Sequence, residues 1–144
     1  MEHDPLMRET RSLIKAYIMH HVAPDEQQVL NEAAETLIRI GDTTFNKNRE
    51  TLEEMVQRLY LINRDLSDVT LMAGIVTRVA EQEFIDGVIN WERLVAVIIL
   101  LAKVAEEFHD RDGTVEDRVE VLSLEMSRFV VEHLGDWIRG RGGW

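Results

Sequence analysis

The chain of 144 residues has no cysteine, which removes disulfide scaffolds, thiolate zinc sites and thiol nucleophiles together and fits a reducing compartment, the cytosol. It has only two prolines, Pro5 and Pro24, so nothing from Asp25 to Trp144 carries the residue that most reliably interrupts helices. Basic residues are short as well: 16 Lys and Arg against 27 Asp and Glu leave a formal net charge of −11. That deficit argues against nucleic acid, whose binding draws most of its affinity from neutralised phosphates, and makes a basic partner easier to accommodate than an acidic one. The start, MEHDPLMRETRS, lacks the basic opening and apolar stretch of a secretory signal. No apolar run is long enough to span a bilayer, which takes about 17 to 25 residues; the longest, Leu94 to Ala102, is closed by Lys103.

What is present reads as one all-α domain over residues 1–144. Hydrophobic residues make up 45% of the chain, enough for a continuous core, and they recur every three or four positions rather than alternating. The spacing predicts a first helix from about Met7 to His21, with Leu13, Ile14, Tyr17 and Ile18 on one stripe. A second opens at Asp25, an N-cap with Gln28 three positions on, and carries Leu30, Ala33, Ala34, Leu37 and Ile40. A third fits Arg49 to Leu61, with Leu52, Met55, Val56 and Leu59 inward, and a fourth runs from about Ser67 to Phe84. The turn IDGVIN precedes ERLVAVIILLAKVAEEF, apolar on nearly every side and therefore placed at the centre of a bundle. The turn HDRDGT then leads to a last helix, capped by Thr114, with the stripe Val119, Leu122, Met126, Phe129, Val130 and Leu134.

Catalytic and metal signatures are missing. The histidines His3, His20, His21, His109 and His133 have no paired ligand spacing and read as surface or packing residues. Asp110, Asp112 and Gly113 form a polar turn rather than a calcium loop, because that register puts Phe108 and Val119 at ligand positions. With no GxSxG, no phosphate-binding glycine loop and Glu106 and Glu107 placed as on a solvated helix face, the sequence is not read as an enzyme and calls for no cofactor or metal.

Gly41 stands inside the second helical pattern, where glycine costs about 1 kcal/mol against alanine, and close packing is the usual reason. In LIRIGD, Leu37 and Ile40 are placed on a face with Gly41 while Asp42 reaches toward a cation. That segment resembles the BH3 core, Leu-x-x-x-Gly-Asp, of the Bcl-2 family of apoptosis regulators. FIDGVINWERLVA is similar to the family's BH1 motif at Phe84, Asp86, Gly87, Asn90, Trp91 and Arg93. The closing WIRGRGGW resembles the start of BH2 at Trp137, Ile138, Gly142, Gly143 and Trp144, and LIKAYI near the start resembles BH4.

The resemblance implies a Bcl-2-like bundle of about eight helices around the central apolar one. It also implies a surface groove in which a partner's amphipathic BH3 helix lies. By position that groove draws on Leu52, Val56, Ile75, Val76, Val79, Glu83, Ala96, Val97 and Leu100. Arg93 would meet the ligand's aspartate with Asn90 and Asp86 assisting, while Leu37, Ile40, Gly41 and Asp42 form the chain's own BH3 motif.

Glu92 stands where the family usually has glycine, either to pair with Arg93 or to repel the ligand's acid, and Glu83 occupies a rim position often apolar in relatives. The implied role is a pro-survival regulator that binds BH3-bearing pro-apoptotic proteins. A pore-forming effector and a groove-impaired helical scaffold stay open beside it. Relatives commonly continue past the position of Trp144 into a membrane tail, so the implied location is cytoplasmic, at the mitochondrial outer membrane if a tail follows; the oligomeric state is left open.

Overall fold

The computed structural model describes residues 4–24, 28, 30–62, 69–112 and 116–144, and for 59–62, 108–112 and 116–117 the backbone only. Among these residues there are six helices and no strand.

Helix α1 (Pro5–Val22) starts two residues before the predicted boundary, because Asp4 caps it: its Oδ1 accepts from the Leu6 N–H at 2.9 Å, and Pro5 sits where a missing N–H leaves nothing unpaired. Helix α2 (Glu32–Lys47) begins later than expected. Gln28 and Leu30 are not helical, Asp25 lies outside the described residues, and the cap is Asn31, whose Oδ1 accepts from Ala34 N–H at 2.8 Å. Glu32 and Glu35 then sit in the first turn, at the positive end of the helix dipole. Its C-cap, Asn48, takes both Thr44 and Phe45 carbonyls on its N–H, and its own carbonyl accepts from Leu52 N–H. One residue thus turns the chain into α3 (Arg49–Ile62), which matches the prediction to within a residue.

Helix α4 (Val69–Glu83) lacks the predicted Phe84, which lies in the turn that follows; Ser67 is outside the described residues. Helix α5 (Trp91–Asp112) runs into the expected polar turn: His109, Asp110, Arg111 and Asp112 are helical, while Gly113 and the predicted cap Thr114 are not described. Helix α6 (Glu116–Gly140) carries the stripe Val119 to Leu134 and continues through Trp137 and Ile138. The BH2-like residues Trp137 and Ile138 therefore belong to the last turns of α6, and the described residues form six helices where the resemblance implies about eight. Gly142 and Gly143, with φ of +89° and +99°, reverse the chain there, and Gly143 N–H closes on the Ile138 carbonyl at 3.0 Å.

The predicted central helix is central. α5 packs against all five other helices, and Leu94, Ile98, Leu101, Ala102 and Ala105 are almost wholly buried. α1 and α6 lie along each other, joined on the surface by ion pairs from Arg11 and Lys15 to Glu120. Lys103, at the end of the apolar run, is itself buried; its Nζ lies 3.7 to 3.8 Å from carboxylate oxygens of Glu53, Glu106 and Glu107.

Candidate functional site

The α4–α5 connection is a compact loop built on three residues. Asp86 Oδ1 accepts from Val88 N–H at 2.9 Å, Gly87 takes a φ of +77° that side chains disfavour, and Asn90 caps α5 by accepting Arg93 N–H at 2.9 Å. The Arg93 side chain folds back over this loop. Its Nη1 donates to Asp86 Oδ1 at 2.6 Å and to the carbonyls of Glu83 and Val88 at 3.1 Å, and its Nη2 donates to Asp86 Oδ2 at 3.0 Å. The two-pronged hydrogen bond from Arg93 holds the Asp86 carboxyl below the usual carboxylate range, with the Val88 N–H adding to it, and Asp86 in turn raises the guanidinium.

Beside this fork lies an apolar cleft of about 270 Å³, just under the ~300–1,000 Å³ usual for small-molecule pockets, a size that suits protruding side chains of a partner better than a whole ligand. Leu52 of α3, Val79 and Glu83 of α4, and Ala96, Val97 and Leu100 of α5 line it, as the sequence places them. Val56 and Val76 do not reach its surface: both are buried in the core and support the walls from behind, while Ile75 is half-buried against that core. Residues the sequence reading assigned elsewhere complete it. Met55 was placed in the core, and Thr44 and Asn48 were not singled out, although they continue the stripe from Ile40 at intervals of four. Ile40 is exposed, at 43%, whereas Leu37 and Gly41 are buried with Ala34 and Phe45. The expectation that Ile40 shares Gly41's face is therefore corrected: Gly41 faces α1 and Ile40 turns away.

The tight approach expected of Gly41 is there. A Cβ on it would lie 2.5 Å from Tyr17 Cε2, so α2 and α1 meet backbone to ring. Asp42 meets no lysine or arginine among the described residues; its partners are histidines: His20 Nε2 at 2.6 Å from Oδ2, and His21 Nε2 at 3.0 Å from Oδ1, off the hydrogen-bond axis. Tyr17 OH donates to Asp42 Oδ1 at 3.3 Å. Two residues read as surface or packing histidines thus carry the α1–α2 polar contact. Burial lowers the His21 pKa against the opposing pull of Asp42, and burial followed by Asp42 raises that of the Tyr17 phenol.

Glu92 is exposed in the first turn of α5, and Arg93 pairs with Asp86 and not with it. All three tryptophans cluster at this end of the bundle: Trp91 lies 4.8 Å from Trp137 and 5.6 Å from Trp144, ring centre to ring centre, and Trp144 Nε1 donates to Thr10 Oγ1 at 2.8 Å. The BH1-like and BH2-like ends are thereby tied to α1.

Among the described residues, five helices pack around a buried sixth, and an apolar cleft that includes Glu83 lies next to the loop carrying the arginine–aspartate fork, although Asp86, Asn90 and Arg93 do not line it. A statistical model of the family described as "Apoptosis regulator proteins, Bcl-2 family" matches residues 37–144, and the chain belongs to that family. It is 25% identical over 118 residues to Bcl-2-related protein A1 of Bos taurus, covering 79% of this chain and 63% of that one. It is 32% identical over 109 residues to apoptosis regulator Bcl-2 of Canis lupus familiaris, covering 76% of this chain and 42% of that one. The chain therefore spans less than two thirds of either relative. Among solved structures, the zebrafish pro-survival protein NRZ in complex with a Bad BH3 segment superposes with a TM-score of 0.84 at 21% identity, over 96% of this chain and 89% of that one. Among the described residues no helix is long and apolar enough to cross a membrane.

Proposed function

We propose that this chain, acting as one domain, is a pro-survival, non-enzymatic regulator that captures the amphipathic BH3 helix of pro-apoptotic proteins in the cleft between α2, α3, α4 and α5. The observation that carries this is the apolar cleft over Ala96, Val97 and Leu100, beside the guanidinium of Arg93. Leu52, Met55, Val79 and Leu100 would hold apolar side chains spaced one turn apart on the ligand, each contributing about 1 to 3 kcal/mol. Arg93 would take the ligand's aspartate, fixing register more than strength, with Asn90 holding the start of α5 and Asp86 sharing the guanidinium. The zebrafish neighbour's complex with a Bad BH3 segment supports the choice of ligand. The proposed site of action is the cytoplasm, at the mitochondrial outer membrane if the full-length protein carries a C-terminal tail.

Calorimetric titration with a Bad BH3 peptide tests the groove. Binding at micromolar concentration or tighter is expected, and no heat at roughly millimolar peptide overturns it. Dye release from mitochondrial-lipid vesicles tests the direction of the effect: the chain should suppress release by a pore-forming relative, and release by the chain itself overturns the pro-survival assignment.

A further inference from the structure

The polar end of the cleft carries an excess of negative charge. Glu83 lines the cleft, Asp86 occupies the Arg93 fork, and Glu92 precedes cleft-lining Ala96 and Ile99 by four and seven residues, on the same stripe of α5. Glu83 and Asp86 thus act on one guanidinium, both of whose terminal nitrogens already bond Asp86, and Glu92 stands next to Arg93 in the chain without pairing with it. The helix dipole adds to the imbalance. Glu81 and Glu83 fall in the last turn of α4, at its negative end, where no basic residue offsets them, and only Arg93 Nη1 reaches the Glu83 carbonyl. Glu83 and Glu92 are both exposed, and neither forms an ion pair among the described residues.

An acidic ligand side chain entering here alone meets net repulsion, since Asp86 must share or yield the guanidinium while Glu83 and Glu92 remain charged. A cation delivered on the same ligand face changes the sign. We infer that Glu83 and Glu92 are specificity-determining residues, and that the cleft selects amphipathic helices carrying Lys or Arg within one turn of their acidic residue. The inference rests on the groove reading above. The aspartate then engages Arg93 while the neighbouring cation engages Glu83 and Glu92, an arrangement that also suits the chain's formal charge of −11. It gives the glutamate at position 92 a recognition role in place of mere obstruction.

Two synthetic peptides with the Leu-x-x-x-Gly-Asp pattern, identical except for Arg or Glu three residues before the aspartate, test this by calorimetry against the intact chain. The Arg peptide should bind about five-fold tighter or more, a gap that narrows as salt is raised. Glu83→Gln with Glu92→Gln should shrink the gap, and Glu83→Lys with Glu92→Lys should reverse it; both positions are exposed, so the fold tolerates the changes. Equal binding of the two peptides, or a gap the variants leave unchanged, overturns the selectivity while leaving the groove standing. If neither peptide binds, nor the Bad BH3 peptide, the groove reading itself falls and this inference with it.

Discussion

His21 lies between Asp42 and Phe45, its Nε2 3.0 Å from Asp42 Oδ1 and its ring centre 4.4 Å from that of Phe45, so a single side chain of α1 meets both the acid and the last aromatic of α2. Burial there favours the neutral imidazole, and the pKa falls below its ordinary 6.5 despite the attraction of Asp42. The unfolded chain therefore binds the proton more readily than the folded one. The sign follows: His21's contribution is fully present above pH 6.5 and is lost as pH falls from 6.5 toward the lowered folded value, with a slope of at most about 1.4 kcal/mol per pH unit for one proton. Urea midpoints at pH 7.5, 6.5 and 5.5 should decrease in that order, and His21→Gln should flatten the decrease. An unchanged pH dependence in the variant would show that His21 does not titrate on unfolding.

Gly41 and Gly74 should respond in opposite directions to the same substitution. Alanine is the better helix former by about 1 kcal/mol at an unconstrained site, and a Cβ on exposed Gly74 meets nothing within 4 Å, so Gly74→Ala should stabilise by about 0.5–1 kcal/mol. At Gly41 the new methyl would press on the Tyr17 ring, itself fully buried, so Gly41→Ala should destabilise by about 1–3 kcal/mol. Chemical denaturation of both variants measures the pair, and a stabilising Gly41→Ala would mean that α1 and α2 can part there at little cost.

Asp86→Asn keeps an acceptor for the Val88 N–H yet removes the anion from the Arg93 fork. Under the groove assignment an acidic BH3 peptide should bind the variant several-fold tighter, because the guanidinium no longer has to be shared. Arg93→Lys should weaken the same peptide by about ten-fold, since one ammonium cannot reproduce the fork. Calorimetry reads both, and unaltered affinity in Arg93→Lys would remove Arg93 from the ligand contact.

Lys103→Met should destabilise the bundle by about 1–3 kcal/mol, although methionine suits the apolar surroundings in size. The loss comes from Glu53, Glu106 and Glu107, which would keep their charges around a position that no longer carries a cation. Thermal melting checks it; an equal or higher melting temperature would show that the lysine's own desolvation outweighs its three attractions.

Much of this is legible in the sequence. The apolar run Leu94 to Ala102 had to be surrounded, and α5 is in contact with every other helix. Gly-Asp at positions 41 and 42 demanded a close neighbour, which is Tyr17, and a cation for Asp42, in whose place stand two imidazoles. The partners were not legible: His20 and His21 are some twenty residues away, with no spacing rule that ties them to Asp42. The start of α2 misled because Asp25 and Gln28 mimic a capping pair, while Asn31 stands closer to the buried stripe Ala34, Leu37, Gly41 and Phe45.

The sequence alone determined which segments are helical, which helix is innermost and which family pattern the chain carries, because these follow from local periodicity and composition. Tertiary structure decided which side of each residue faces what. It put Val56 and Val76 behind the cleft instead of in it, brought Thr44 and Asn48 to its wall, and gave the Arg93 guanidinium to Asp86. A side chain's partner is set by where distant helices cross and by which groups the connecting loops bring together, and neither is recorded in the order of residues along one helix.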